Sequence, residues 1–312
     1  MTKGLLSELP PLSKLLFTLF IIVVSFLLFA LIGAVVAIPL FGVSFFSNPD
    51  ILNFNLYPEY LHIVKFFQIL QSFSIFLIPP IMVAFLYSTK PYEYLRIKQQ
   101  PAIYSLIISG IIMIAALPLI DWMLRINEML HFPETLQSIE QWMKNAEEDR
   151  KDITEAFLNV ASWKGYAINV FMFGILAAVG EELLFRGIIQ RLFGEWFRNQ
   201  HVAVILTAFL FSALHMQFYG FLPRFMLGIY LGYLFIWTGS LWIPIFAHFV
   251  NNVSAVTVYF LVKRGIINID PEEFGSTNST FFFWGSILLV FGLITTIYLK
   301  EKSRKTDTTV IK

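Results

Sequence analysis

Cysteine is absent from this 312-residue chain. That excludes disulfides, thiolate metal sites and a cysteine nucleophile. Charge is also scarce. Asp, Glu, Lys and Arg make up 14% of the residues, against about 25% in an average soluble protein. The net charge is only +1 and says nothing about partners; no nucleic acid is expected. No internal repeat, low-complexity tract or separate soluble domain stands out. There is no serine in an elbow motif and no HExxH.

What remains is apolar. Hydrophobic residues make up 57% of the chain, 34 of them phenylalanine, and the mean hydropathy is +0.70. These values describe an all-α polytopic membrane protein. A helix needs about 20 mostly apolar residues to cross about 30 Å of hydrocarbon. Eight candidate spans meet that standard approximately, near 15–41, 62–88, 102–120, 165–190, 201–217, 219–238, 241–262 and 280–299. The first is too long for a signal h-region and is read as a span. Pro79-Pro80 should kink the second. Thr238-Gly239-Ser240 should turn the sixth tightly into the seventh.

Lys and Arg favour cytoplasmic loops. With the N terminus inside, that side collects Lys3, Lys14, Lys90, Arg96, Lys98, Arg186, Arg191, Arg198 and the basic tail from Lys300. Both termini are therefore expected in the cytoplasm, in the plasma membrane if the cell is bacterial. The polar stretch 121–164 then lies outside. Leu136, Ile139, Trp142 and Met143 recur there at helical spacing, which predicts amphipathic helices on the membrane or capping the bundle. The expected units are 1–164, with three spans and this segment; 165–262, a core bundle of four spans; and 263–312, the last span and a charged tail.

Ionisable groups at bilayer depth are expensive and mark functional sites. Glu181-Glu182-Leu183-Leu184-Phe185-Arg186 holds three within six residues. Glu182 and Arg186 share a helix face and form a plausible ion pair. Glu181 is rotated by about 100° and needs a different partner. His62, His131 and His201 are expected at interfaces or surfaces. His215 and His248 lie inside apolar runs. Phe211 precedes His215 by four residues and can orient its ring. Asn252 follows His248 by four, so an imidazole and a carboxamide can donate to one oxyanion. The set suits hydrolysis by an activated water, with or without a metal. If a metal is present, Glu181, His215 and His248 are a possible zinc set.

The motifs Glu181-Glu182-x-x-x-Arg186, Phe211-x-x-x-His215 and His248-x-x-x-Asn252 resemble those of the CPBP (Abi) intramembrane proteases, related to the type II CAAX prenyl endopeptidases. Gly228 to Gly232 and Thr238 to Pro244 also resemble the family's third block. The likeness covers about 165–255. It implies an all-helical membrane bundle that hydrolyses peptide bonds near the cytoplasmic side. Glu181 would activate water with help from His215. His248 and Asn252 would form the oxyanion site, with Glu182, Arg186 and Phe211 in support. Family members are commonly called metalloproteases, but a metal-free glutamate mechanism is also attributed to CAAX-type enzymes. Asn252 is a poor zinc ligand and a good oxyanion donor, which favours the metal-free reading. The substrate would be a membrane-anchored protein or peptide, lipid-modified or C-terminal in kind. Two other functions fit the sequence. One is a non-catalytic immunity or scaffolding protein of the same family. The other is a Glu/His proton relay or transporter, although the chain shows no inverted repeat.

One strain is visible in advance. Counting helix rise along separate spans does not bring Glu181 and His215 to one depth. Shared chemistry requires their side chains to lie within about 8 Å, the reach of one bridging water.

Overall fold

The computed structural model describes residues 4–42, 58–129, 133–277 and 279–310. Most of the first external loop and His131 lie outside the described residues. Among the described residues the chain is helical, with no strand. Helix α1 runs over Pro11–Phe41, α2 over Leu61–Tyr87, α3 over Ile103–Ala115 and α4 over Leu117–Glu128. Helix α5 is Gln137–Leu158, α6 Trp163–Phe197 and α7 Gln200–Ala213. Helix α8 is Phe221–Thr238, α9 Trp242–Lys263 and α10 Thr280–Val310.

Six of these are long and apolar enough to span a membrane, and α3 with α4, bent by 48°, makes a seventh. The fold class is as expected, but length does not support a count of eight. Helix α7 has 14 residues, about 21 Å of rise against about 30 Å of hydrocarbon. Asn199 caps its start, accepting hydrogen bonds from the His201 and Val202 amides. It ends at Ala213, before His215.

Pro79-Pro80 does not break α2. Proline removes the donor its helix would use, and the turn before it widens instead. Residues Phe73–Leu77 form a π-helix, closed by the Ile78 amide bonding back to Phe73 O. The α8–α9 turn is as expected: Gly239 takes φ +70°, and its amide caps Phe235 O.

The bundle has two unlike ends. At one, Lys14 pairs with Glu195 at 3.0 Å, Leu241 N bonds to Arg96 O and Lys305 Nζ bonds to Ile236 O. The basic segments gather here. At the other lie α5 and the connection 214–220. Glu147 of α5 accepts from the Tyr219 amide at 3.1 Å, and Trp142 packs on Phe218. Asn127 of α4 donates to Phe218 O and accepts from Leu222 N. The far end of α5 is tied down by Lys65, which donates to Phe157 O and Asn169 Oδ1. Helix α5 therefore lies across the end of the bundle, above the tip of α7.

Candidate active site

Helix α6 carries the first group of site residues. It starts at the Ser162 cap, whose hydroxyl oxygen accepts from Gly165 N. Two π-helical stretches, Val170–Leu176 and Leu183–Ile189, flank the α-helical Ala177–Glu182. Such turns are rare and concentrate at functional sites. With 35 residues the helix is about 52 Å long, and Glu181 lies near its middle. This removes the difficulty over depth: α6 overshoots the hydrocarbon at its ends and places Glu181 at the level of the tip of α7.

Glu182, Arg186 and His248 form a closed interior cluster. Glu182 and Arg186 have no solvent exposure, and His248 is 3% exposed. Glu182 Oε1 accepts from Arg186 at 2.6 Å and from His248 Nδ1 at 2.9 Å. Arg186 also donates to Gly228 O at 3.0 Å. One turn further along, Gln190 donates to Gly232 O at 3.2 Å. Gly228 and Gly232 thus present backbone oxygens to α6 at helical spacing. A Cβ on Gly228 would lie 2.9 Å from the Ala208 Cβ of α7. Only glycine permits α7 and α8 to approach this closely, as in small-xxx-small packing.

Phe211 stands at the centre. Its ring meets Phe185, His215 and His248 at 5.2, 4.9 and 5.8 Å between centroids. The Arg186 guanidinium lies 4.9 Å from the same ring. Its carbonyl has a second role, bonding to His215 Nδ1 at 2.6 Å.

Glu181 Oε2 is the focus of the site. His215 Nε2 lies 3.9 Å from it and His248 Nε2 3.8 Å. The atom is buried and accepts no hydrogen bond from the protein. The tautomers follow from the partners. A carbonyl only accepts, so His215 carries its proton on Nδ1. A carboxylate only accepts, so neutral His248 does the same. Both Nε2 lone pairs then face Glu181. The two adjacent acids meet one imidazole on its two nitrogens, Glu182 at Nδ1 and Glu181 near Nε2.

Five of the expected residues converge with Phe211 on this centre. Asn252 does so less directly. Its Nδ2 donates to Phe173 O at 2.9 Å, and its Oδ1 accepts from Asn251 at 3.1 Å. It stands one helical turn from His248, with its second N–H not engaged by these bonds. His201, expected at an interface, bonds Tyr233.

Arg224 was not among the expected residues. It interacts electrostatically with both Glu181 and His215. A lone arginine in the first turn of an apolar helix is the signal that points to it.

A metal does not fit the donors as they stand. Tetrahedral zinc with bonds of about 2.0–2.1 Å holds its donors about 3.3–3.4 Å apart, closer than the separations around Glu181. Among the described residues no group of three or more His, Cys, Asp or Glu is placed to hold a metal ion. No step below runs through one.

Residues 163–254 match the family model described as type II CAAX prenyl endopeptidase Rce1-like. The chain is 30% identical over 97 residues to the uncharacterized protein YpbD of Bacillus subtilis (strain 168), covering 30% of this chain and 47% of YpbD. The chain thus matches about half the length of that relative. No solved structure matches.

Proposed function

We propose that this protein is an intramembrane endopeptidase with Glu181 as general base, a reading supported by the match of residues 163–254 to the Rce1-like type II CAAX prenyl endopeptidase model. The observation that carries this reading is the buried, unbonded Glu181 Oε2 facing two Nε2 atoms within 4 Å. A water held here can donate one hydrogen to Glu181 and the other to His215 Nε2, so it meets a base and an orienting imidazole at once.

In this mechanism Glu181 takes a proton from the water as its oxygen attacks the scissile carbonyl. The same proton passes to the leaving nitrogen as the C–N bond breaks. A carboxylic acid and an amine result, so atoms balance without a cofactor. Burial in a low-dielectric site strengthens each of these electrostatic contacts. His215, fixed through Phe211 O, holds the water. His248 donates to the oxyanion through Nε2 in its doubly protonated form, with its Nδ1–H on Glu182. The second N–H of Asn252 is the other oxyanion donor. Arg186 and Phe211 keep Glu182 and the two rings in place.

The substrate is a membrane-associated peptide that reaches mid-bilayer depth. We place the basic end of the bundle in the cytoplasm, following the charge bias of the loops. The test uses the purified full-length protein in nanodiscs and internally quenched, N-terminally acylated peptides. Wild type should cleave them, and Glu181→Gln and His248→Ala should not, while keeping the wild-type melting profile. Equal cleavage by wild type and Glu181→Gln would sink the reading.

A further inference from the structure

One charged group near the site has no role in this mechanism. Arg224 is half-buried in the first turn of α8. A cation there sits at the positive end of the helix macrodipole, an unfavourable place. Its hydrogen bonds go to neutral groups, Gln217 O at 3.2 Å and Gln217 Oε1 at 2.8 Å. Guanidinium has five N–H donors, so most of its capacity remains. Among the described residues no carboxylate lies within the 4.0 Å that defines an ion pair with it.

Two acids act on Arg224 from further away, Glu147 and Glu181. Each has other work. Glu147 accepts from the Tyr219 amide, and Glu181 faces the two histidines. The arginine is nonetheless held firmly. A Cβ on Gly220 would lie 2.9 Å from one of its terminal nitrogens, so the guanidinium rests against a residue that has no side chain. Arg224 precedes Gly228 by one turn, on the same face of α8, and Gly228 O receives Arg186 of α6. Arg224 therefore faces the catalytic helix, beneath α5.

We propose that Arg224, positioned by Gln217 and Gly220, is the receptor for a carboxylate of the substrate. A planar guanidinium with N–H groups to spare beyond its two bonds to Gln217 suits a carboxylate. Arg224 lies on the α8 face that Gly228 turns towards α6, which puts that carboxylate a few residues from the scissile bond. The carboxylate is either the substrate's C-terminal group or an Asp or Glu side chain near it. This inference rests on the endopeptidase reading and names the feature that the site selects.

The experiment starts from one acylated, quenched peptide that wild type cleaves. It is prepared as the free C-terminal acid, as the C-terminal amide, and as the amide with Glu replacing the last residue. Wild type, Arg224→Gln and Arg224→Lys are compared in nanodiscs, with melting curves to confirm folding. Wild type should prefer one of the acidic forms over the plain amide by about thirtyfold in kcat/KM. Arg224→Gln should erase that preference through KM, so that the acidic forms lose about thirtyfold more than the plain amide, and Arg224→Lys should restore part of it. Preference for the free acid identifies a C-terminal carboxylate, and preference for the Glu amide identifies a side chain. Equal wild-type cleavage of all three forms would overturn the Arg224 assignment alone. Equal loss on acid and amide in Arg224→Gln would overturn it too. If no acylated peptide is found that wild type cleaves, the endopeptidase reading itself fails.

Discussion

Helices α1 and α6 are both long, apolar and continuous, yet they do opposite work. In the spanning window of α1 11% of residues are buried, against 56% in that of α6. Helix α1 presents Leu and Val to lipid nearly all round. Helix α6 is enclosed by α2, α7, α8 and α9 and carries Glu181, Glu182, Arg186 and Gln190 inward. Lipid tails are as apolar as leucine, so apolar surface alone does not drive helices together in a bilayer. Polar contacts and close backbone approach do. The chemistry and the cohesion of the bundle should therefore sit on the same helix, and substitutions on α6 and α1 should differ sharply.

The largest effect is expected at Glu181. Glu181→Gln removes the base but keeps the shape. Cleavage should fall by about 10²–10⁴-fold, the usual weight of a general base, with the melting temperature unchanged. A matching loss of stability would show that Glu181 is a structural residue, and the division between the two acids would collapse.

Glu182 and Arg186 should behave in the reverse sense. Arg186→Met leaves Glu182 as a buried acid with only His248 for a partner. Removing one member of a buried ion pair costs about 3–5 kcal/mol. Denaturation in nanodiscs should register that loss, and activity should fall with it. The double variant Glu182→Leu/Arg186→Met should recover part of the stability, because the uncompensated charge has gone, while activity stays lost. Stability unchanged in Arg186→Met would break the claim that α6 holds the bundle together through its charges.

Gly228→Val tests close approach in place of charge. A Cβ at 2.9 Å from Ala208 forces α7 from α8 and shifts the carbonyl that receives Arg186. Overpacking of this kind costs about 1–3 kcal/mol. Displacement of α7 also moves His215, so kcat should drop further than stability. Gly285 of α10 has open space at its Cβ, and Gly285→Val should do neither.

Much of this was legible in the sequence because membrane proteins write some features plainly. Long apolar runs gave α1, α2, α6, α8, α9 and α10. The spacings of four in Glu182–Arg186, Phe211–His215 and His248–Asn252 put each pair on one helix face, where the structure has them. Other features leave no local trace. Helix α6 runs on to Phe197, past the span end read near 190, so rise counting misjudged depth. Helix α7 looked long enough because the apolar run continues past Ala213, where the helix stops. The carbonyl of Phe211 does as much as its ring, and backbone groups are invisible to motif reading. Arg224 belongs to no motif, and its meaning depends on what faces it across the fold.

The smallest effect is expected on α1, and it bears most directly on the comparison. Leu31 is 56% exposed, facing what would be lipid. Leu31→Ala exchanges one lipid-facing apolar side chain for a smaller one and breaks no packing. Its stability should change by less than about 0.5 kcal/mol, with full cleavage activity. Gly33, two residues on and turned by about 200°, is buried against α2, and a Cβ there would meet Leu70 at 2.6 Å and Phe67 at 2.9 Å. Gly33→Val should therefore lower the melting temperature where Leu31→Ala does not. It should leave kcat near wild type, because α1 contributes no group to the site. If Gly33→Val instead abolished cleavage in folded protein, α1 would be coupled to the site through α2, whose Phe76 packs against Gly180 beside Glu181. The contrast between an outer helix facing lipid and an inner catalytic one would then have to include α2 on the catalytic side.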